Sequence, residues 1–461
     1  MINRREFIQT TTAGLAVWLT GPNVWAGQYK ATAWQNYDFK PYRKGDFAAP
    51  VTKVTPDGGF YLHTFYDVCP WSPSGRYLVV TKLPYQRKKP VWGDAAEICV
   101  IDLQEQAIRT VYSTKGWSFQ LGANVQWGNT SDRYLYTNDV INEIPVCVRL
   151  DLETGKVKAY AGAKYDLAPD EKSVISPELR NMNIHQYGYA VPDPPSGSPI
   201  PFTKDEMNSE GLWKTDLTTN KRKLLRPLQD FFNAAEDGDV YEDGIGYLFH
   251  SKYNPQNTRI MQVFRAQING KGRNASLFTM DMDGKNLKQC LSQEHWNHKA
   301  RLGGSGNHPN WHPDGERIIM NCIPAWLGLN DMLFCSFRYD GSDFKVLSEK
   351  HLGSGHPSVE PTSTYLLSDA YPKQTYVVGE NGEIPIRLLN LNNDSELQLC
   401  TIPTDVGGGK NQYLPEDRAT GGSQHKLDPH PAWSRNYSEI CFNGAPEMVR
   451  QVFVANLKEV L

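Results

Sequence analysis

The chain has 461 residues, a formal net charge of −3, 39% hydrophobic and 11% aromatic residues, 38 Gly and 30 Pro. That length allows one large all-β domain or two to three ordinary ones, and the aromatic, Gly- and Pro-rich balance suits short strands joined by polar turns rather than long helices. The near-neutral charge and the absence of long Lys/Arg runs exclude nucleic acid as an expected partner.

At the N-terminus, Arg4-Arg5-Glu6-Phe7-Ile8 heads a mildly apolar stretch, Ala13 to Thr20, and Val24-Trp25-Ala26 offers a small-residue cleavage site. Residues 1–26 therefore read as an export signal, and the paired arginines resemble the twin-arginine type, whose pathway carries folded proteins. The expected mature chain, 27–461, is periplasmic or secreted. No segment of it approaches the roughly 20 apolar residues of a membrane span. The eight cysteines include no C-x-x-C pair, and runs such as Glu97-Ile98-Cys99-Val100-Ile101 place them in strands, so buried thiols are expected rather than a disulfide framework.

One pattern recurs along the chain: an aromatic, a polar turn, then an apolar strand. It is clear at Cys69-Pro-Trp-Ser-Pro-Ser-Gly-Arg-Tyr, His308-Pro-Asn-Trp-His-Pro-Asp-Gly-Glu-Arg and His430-Pro-Ala-Trp-Ser-Arg-Asn-Tyr, and weaker from Asn124, His250 and His356. A degenerate seventh copy is placed at His185-Gln-Tyr-Gly-Tyr-Ala190. Several copies lead to an apolar strand that ends in Asp before a turn, as at Asp102, Asp151, Asp216 and Asp281. Strand, hairpin, strand and turn at spacings of about 48 to 75 residues describe four-stranded blades. Seven units fill the mature chain, so the expected fold is all-β, a seven-bladed β-propeller in a single domain, 27–461. Gln451 to Leu457 reads as a last strand, and Thr52 to Thr64 could complete its blade and close the ring.

Aligned on the aromatic, the position three residues earlier is Val68, Asn124, His185, His250, His308, His356 and His430. Five of these seven are histidine, where seven positions drawn at random from a chain with 11 His in 461 residues would hold about 0.2. In a propeller these positions converge on one mouth of the axial channel. Clustered neutral imidazoles with a carboxylate, for which Asp369 is the candidate, suit a divalent metal such as Mn, Zn or Ca. The competing reading is that each His caps a turn in a generic propeller repeat. Arg265, at the end of an apolar strand, could hold a carboxylate in a two-pronged pair. Tyr187 and Tyr189 set phenols beside His185. Trp71, Trp127, Trp311 and Trp433 belong to the repeat and read as core.

The His308-to-Gly315 segment, the Gly355-His-Pro-Ser copy running to Ser368-Asp369, and Asn254-Pro-Gln-Asn-Thr-Arg-Ile before Arg265 resemble the oligogalacturonate lyases and related propeller lyases, among them those acting on ulvan. The resemblance implies metal ligation by His308 and His356, with His430 a third ligand, and an acidic oligo- or polysaccharide substrate. The reaction it implies is β-elimination: the uronate carboxylate is neutralised by Arg265 or the metal, a base (His185 or His250) takes the adjacent proton, and Tyr187 or Tyr189 protonates the departing oxygen. Two other classes stay open, a non-catalytic TolB-like binding propeller and a glycoside hydrolase, which would need two carboxylic acids at suitable separation.

Overall fold

The computed structural model describes residues 18–19 and 25–461, apart from 44, 88–89, 187, 193–203, 237, 239–243, 269–271, 303, 375, 379–381 and 408–426. Its strands form seven antiparallel sheets arranged as the blades of a propeller. Blade 4 is typical, running outward from Gly244–Tyr253 through Arg259–Ile268 and Gly272–Asp281 to Lys288–Leu291. The core lies between neighbouring blades, where Val79 and Val100 of blade 1 meet Leu135 and Val148 of blade 2, and Leu388 of blade 6 meets Phe442 of blade 7.

Blade 7 closes the ring. Its first three strands, Ala432–Trp433, Glu439–Gly444 and Gln451–Asn456, take Val51–Lys53 as the fourth, with Val454 opposite Thr52. Gln451–Asn456 is thus a third strand. Of the segment expected to complete the blade, Val51–Lys53 does so, whereas Phe60–Leu62 pairs with Leu83 to Thr81 in blade 1. This pairing ties the N-terminal part of the chain to the last blade and covers the edge of Gln451–Asn456.

The repeated turn has a physical basis that involves an arginine as well as the aspartate. Asp102 accepts the Gln104 and Glu105 amides and holds Arg76 at 2.6 Å; Asp151 accepts the Glu153 and Thr154 amides and holds Arg133 at 2.7 Å. One carboxylate therefore caps the outer turn and ties the second strand to the third. Two of the four repeat indoles stitch blade to blade: Trp127 donates to the Pro70 carbonyl and Trp311 to that of Lys252. They are core, as expected. All eight cysteines are free thiols and seven are buried.

Arg133 first, with the turn amides, holds the Asp151 carboxyl well below its usual range. A depressed carboxylate stabilises the fold above its unfolded pKa and loses that contribution as the pH falls through the folded one. Asp151→Asn is therefore expected to lower the denaturation midpoint at pH 7 and to lose most of this effect only below about pH 2, as the pH falls through the folded pKa. Equal destabilisation at both pH values would refute the account.

One sequence expectation needs correction. Blade 3 begins at Asp166–Leu167, followed by Ser173–Ser176, so its turn is Ala168-Pro169-Asp170-Glu171 and its register position is Lys164. His185 instead ends a short helix, Leu179–His185, inside an insertion between the second and third strands. Much of the expected export signal lies outside the described residues. However, Trp25–Gln28 pairs with Lys156–Ala159 at the outer edge of blade 2, so the expected boundary at Ala26 falls within a strand.

Candidate active site at one mouth of the channel

Four of the seven register positions are histidine, and the backbone explains why they converge. Asn124 (φ 48°), His250 (54°), His308 (51°) and His430 (50°) all occupy the left-handed region, which Asn and His tolerate better than most residues. In blades 4 and 5 the ladder slips at that point, between Phe249 and Lys252 and between Asn307 and Asn310. Each slip is a bulge that re-aims the side chain. The other members complete the ring differently. Lys164 is fully buried and donates to the Asn124 carbonyl (2.9 Å) and Oδ1 (3.1 Å), and burial pulls its pKa down to about 8, with Asp166 opposing.

Beneath the ring, the segment after Leu62 crosses the axis. Phe65 stands 4.5 Å from the His430 ring and within 6 Å of those of His250 and His356; Tyr66 stands 5.1 Å from His356. Asp67 is held by buried Lys252 at 2.6 Å, and the same ammonium reaches the Tyr66 hydroxyl and the Pro309 carbonyl. This plug separates the histidines from a larger cavity of about 640 Å³ on its far side, lined by the later residues of the inner strands. His63, in the same segment, is wholly buried, which pushes its pKa down to about 4.

Above the plug, His356, Asp428 and His430 bring one ligand atom each within 4.8 Å of one another, and all three are buried. Asp369 stands behind them. Its oxygens receive the His356 and His430 amides and lie 2.9 and 3.1 Å from His356 Nδ1. That contact fixes the ring so that Nε2 points away, and Nε2 has no hydrogen-bond partner among the described residues. The approach needs a glycine: a Cβ on Gly355 (φ 66°) would sit 2.1 Å from Asp369 Oδ1. Two imidazoles and a carboxylate, one imidazole oriented by a second carboxylate, are a donor set for a divalent transition metal.

His308 lies beside this group, its ring 3.9 Å from that of His356, but outside the three-residue set. Its Nδ1 is 2.9 Å from the Gly355 carbonyl, and the Tyr371 hydroxyl is 2.8 Å from Nδ1 and 3.2 Å from Nε2. Burial raises the Tyr371 phenol well above its ordinary pKa, with Asp428 reinforcing and Arg265 opposing. Tyr371 and Arg265 line one open cleft of about 370 Å³. Arg265 Nη1 donates to Gln186 Oε1 (2.9 Å), which fixes one edge of the guanidinium.

The remaining sequence candidates scatter. His250 is completely buried between Phe249 and Phe65, neither ring nitrogen has a hydrogen-bond partner among the described residues, and burial and nearby Lys252 keep it neutral. His185 stacks on Tyr247 at 4.9 Å. Tyr189 is buried against Phe65 and Phe249, and Tyr187 lies outside the described residues. A Ser363–His312–Asp314 arrangement on the opposite rim is a turn device. His312 Nδ1 accepts the Asp314 amide, so Nε2 carries the hydrogen toward Ser363 and the ring cannot take a serine proton.

These elements define a seven-bladed propeller with a buried histidine–carboxylate cluster at one channel mouth. No family model and no curated protein matches the chain. Among solved structures, an oligogalacturonate lyase in complex with manganese aligns at 14% identity with a TM-score of 0.62, covering 93% of this chain and 98% of that one. A second oligogalacturonate lyase, from Vibrio parahaemolyticus, aligns at 15% identity and TM-score 0.60 over the same shares. TolB from Acinetobacter baumannii aligns at 12% identity over 84% of this chain and 82% of its own, with a TM-score of 0.37. Among the described residues, no helix is long and apolar enough to cross a membrane.

Proposed function

We propose that this protein is a metal-dependent polysaccharide lyase that cleaves uronic-acid-containing glycans by β-elimination after export. The observation that carries the reading is the adjacency of the His356–Asp428–His430 set to a cleft that presents a guanidinium and a phenol. A bound divalent ion would supply positive charge beside the cleft, and the manganese in a lyase of the same fold makes that ion the first to test.

Arg265, held by Gln186, would take the uronate carboxylate and so make the neighbouring C–H proton more acidic. His308 would take that proton as the C4–O bond breaks and the C4–C5 double bond forms, and Tyr371 would give its proton to the departing oxygen. A phenol whose pKa is raised keeps its proton at neutral pH, as an acid must. In this assignment His308 moves from metal ligand to base, Asp369 from ligand to the residue that orients His356, and Asp428 becomes the carboxylate ligand. His250 is enclosed by aromatic rings and is left out of proton transfer.

The test is metal content of the purified protein together with ultraviolet absorbance of the unsaturated product on uronate polysaccharides, before and after chelation. Stoichiometric metal and chelator-sensitive product support the reading; neither metal nor product would favour a binding propeller. Arg265→Ala is expected to raise KM and lower kcat/KM by about a hundredfold or more, since a buried-edge carboxylate pair is lost. An unchanged KM would remove Arg265 from substrate binding.

A further inference from the structure

We infer that the cleft beside the cluster accepts a glycan in which the reacting uronate is followed by a neutral sugar, rather than a run of uronates; this rests on the lyase reading above. The cleft extends from Arg265 and Tyr371 toward blade 5, between the connection that carries Trp296 and Asn297 and the hairpin that carries Met332. Its volume of about 370 Å³ leaves room beyond the reacting ring.

The charge in that space is one-sided. Among the described residues lining it, Arg265 is the sole cation, and its other polar groups are amides and hydroxyls, including Asn297, Ser305 and Gln374. Gln374 is shaped to donate. Its Oε1 accepts the Ser354 hydroxyl, whereas among the described residues its Nε2 has only the Met332 sulfur at 3.8 Å, a weak acceptor. Arg301, on the same connection, is turned away and paired with Asp331 at 3.1 Å.

One guanidinium, with one edge already on Gln186, holds one carboxylate. A second carboxylate a sugar further along would meet neutral groups and find no counter-charge among the described residues that line the cleft. A neutral sugar there presents hydroxyls or an acetamido carbonyl, which the Gln374 amide can serve.

The experiment compares kcat/KM of the metal-loaded full chain on polygalacturonate and alginate, whose units are all uronates, with that on hyaluronan and unsulfated chondroitin, in which uronates are separated by neutral N-acetylated sugars. Binding of the corresponding oligosaccharides is measured in parallel. The expected result is a preference of at least about tenfold for an alternating polymer. Equal or better use of polygalacturonate or alginate overturns the inference and leaves the lyase reading standing. Neither binding nor cleavage of any of them overturns both. Asn297→Lys, which adds a cation to the cleft, is expected to shift the preference severalfold toward the all-uronate polymers; should that variant not fold, Ser305→Lys is made in its place. An unmoved ratio in a folded variant counts against the inference.

Discussion

Replacing His356 by alanine, or Asp428 by asparagine, is expected to leave a folded propeller that no longer retains a divalent metal. The blades are held by inter-blade apolar clusters and by the Val51–Lys53 closure, none of which passes through the cluster. Removing one of three ligands takes away both a donor and, for Asp428, the charge that offsets the cation, so affinity should fall by more than about a hundredfold. Asp369→Asn should cost less, about 10- to 100-fold, because Asp369 acts by orienting the His356 ring. Metal content after dialysis, chelator competition and a thermal melt measure these effects. The order predicted, with His356 and Asp428 well below Asp369, separates ligands from the residue behind them. Undiminished metal in a His356→Ala, Asp428→Asn double variant would place the site elsewhere.

The propeller could be read from the sequence because its repeat is carried by residues with local jobs: an indole in the core, which in blades 2 and 5 donates to the preceding blade, a polar turn, and an Asp that caps the outer turn. The copies were hardest to place where an insertion intervened. Blade 3 keeps the Pro169-Asp170 turn but has Leu167 where the aromatic is expected, and the aromatic-rich Tyr187-Gly188-Tyr189 drew the register to His185 instead. The histidine ring was visible for a backbone reason, since a left-handed bulge admits few residue types. Which histidine does what was not visible, because that depends on side-chain direction. Asp369 sits two residues before Tyr371, yet one carboxylate turns to a ring behind the metal set while the phenol turns to the cleft. Asp428, two residues before His430, had a signal in that spacing. The Gln186–Arg265 contact joins an insertion of blade 3 to blade 4 and has no sequence signature.

Tyr371→Phe carries the largest expected effect on turnover. Its hydroxyl touches the His308 imidazole, and Tyr371 is among the described residues that line the open cleft. Its loss takes the proton from the leaving-oxygen side without altering the carboxylate pair at Arg265. If Tyr371 is the acid, kcat should fall by about 10² to 10⁴ while KM changes little, the pattern of an interaction made only in the transition state. Metal content should hold, because Tyr371 belongs to none of the three ligand positions. His308→Ala should give a kcat loss of similar size, and the double variant should fall little further, since a base and an acid that share one hydrogen bond act as a unit. Additive losses would mean that the two residues act independently. A Tyr371→Phe enzyme with full kcat would assign the leaving-group proton to water, with Tyr371 left only to position His308.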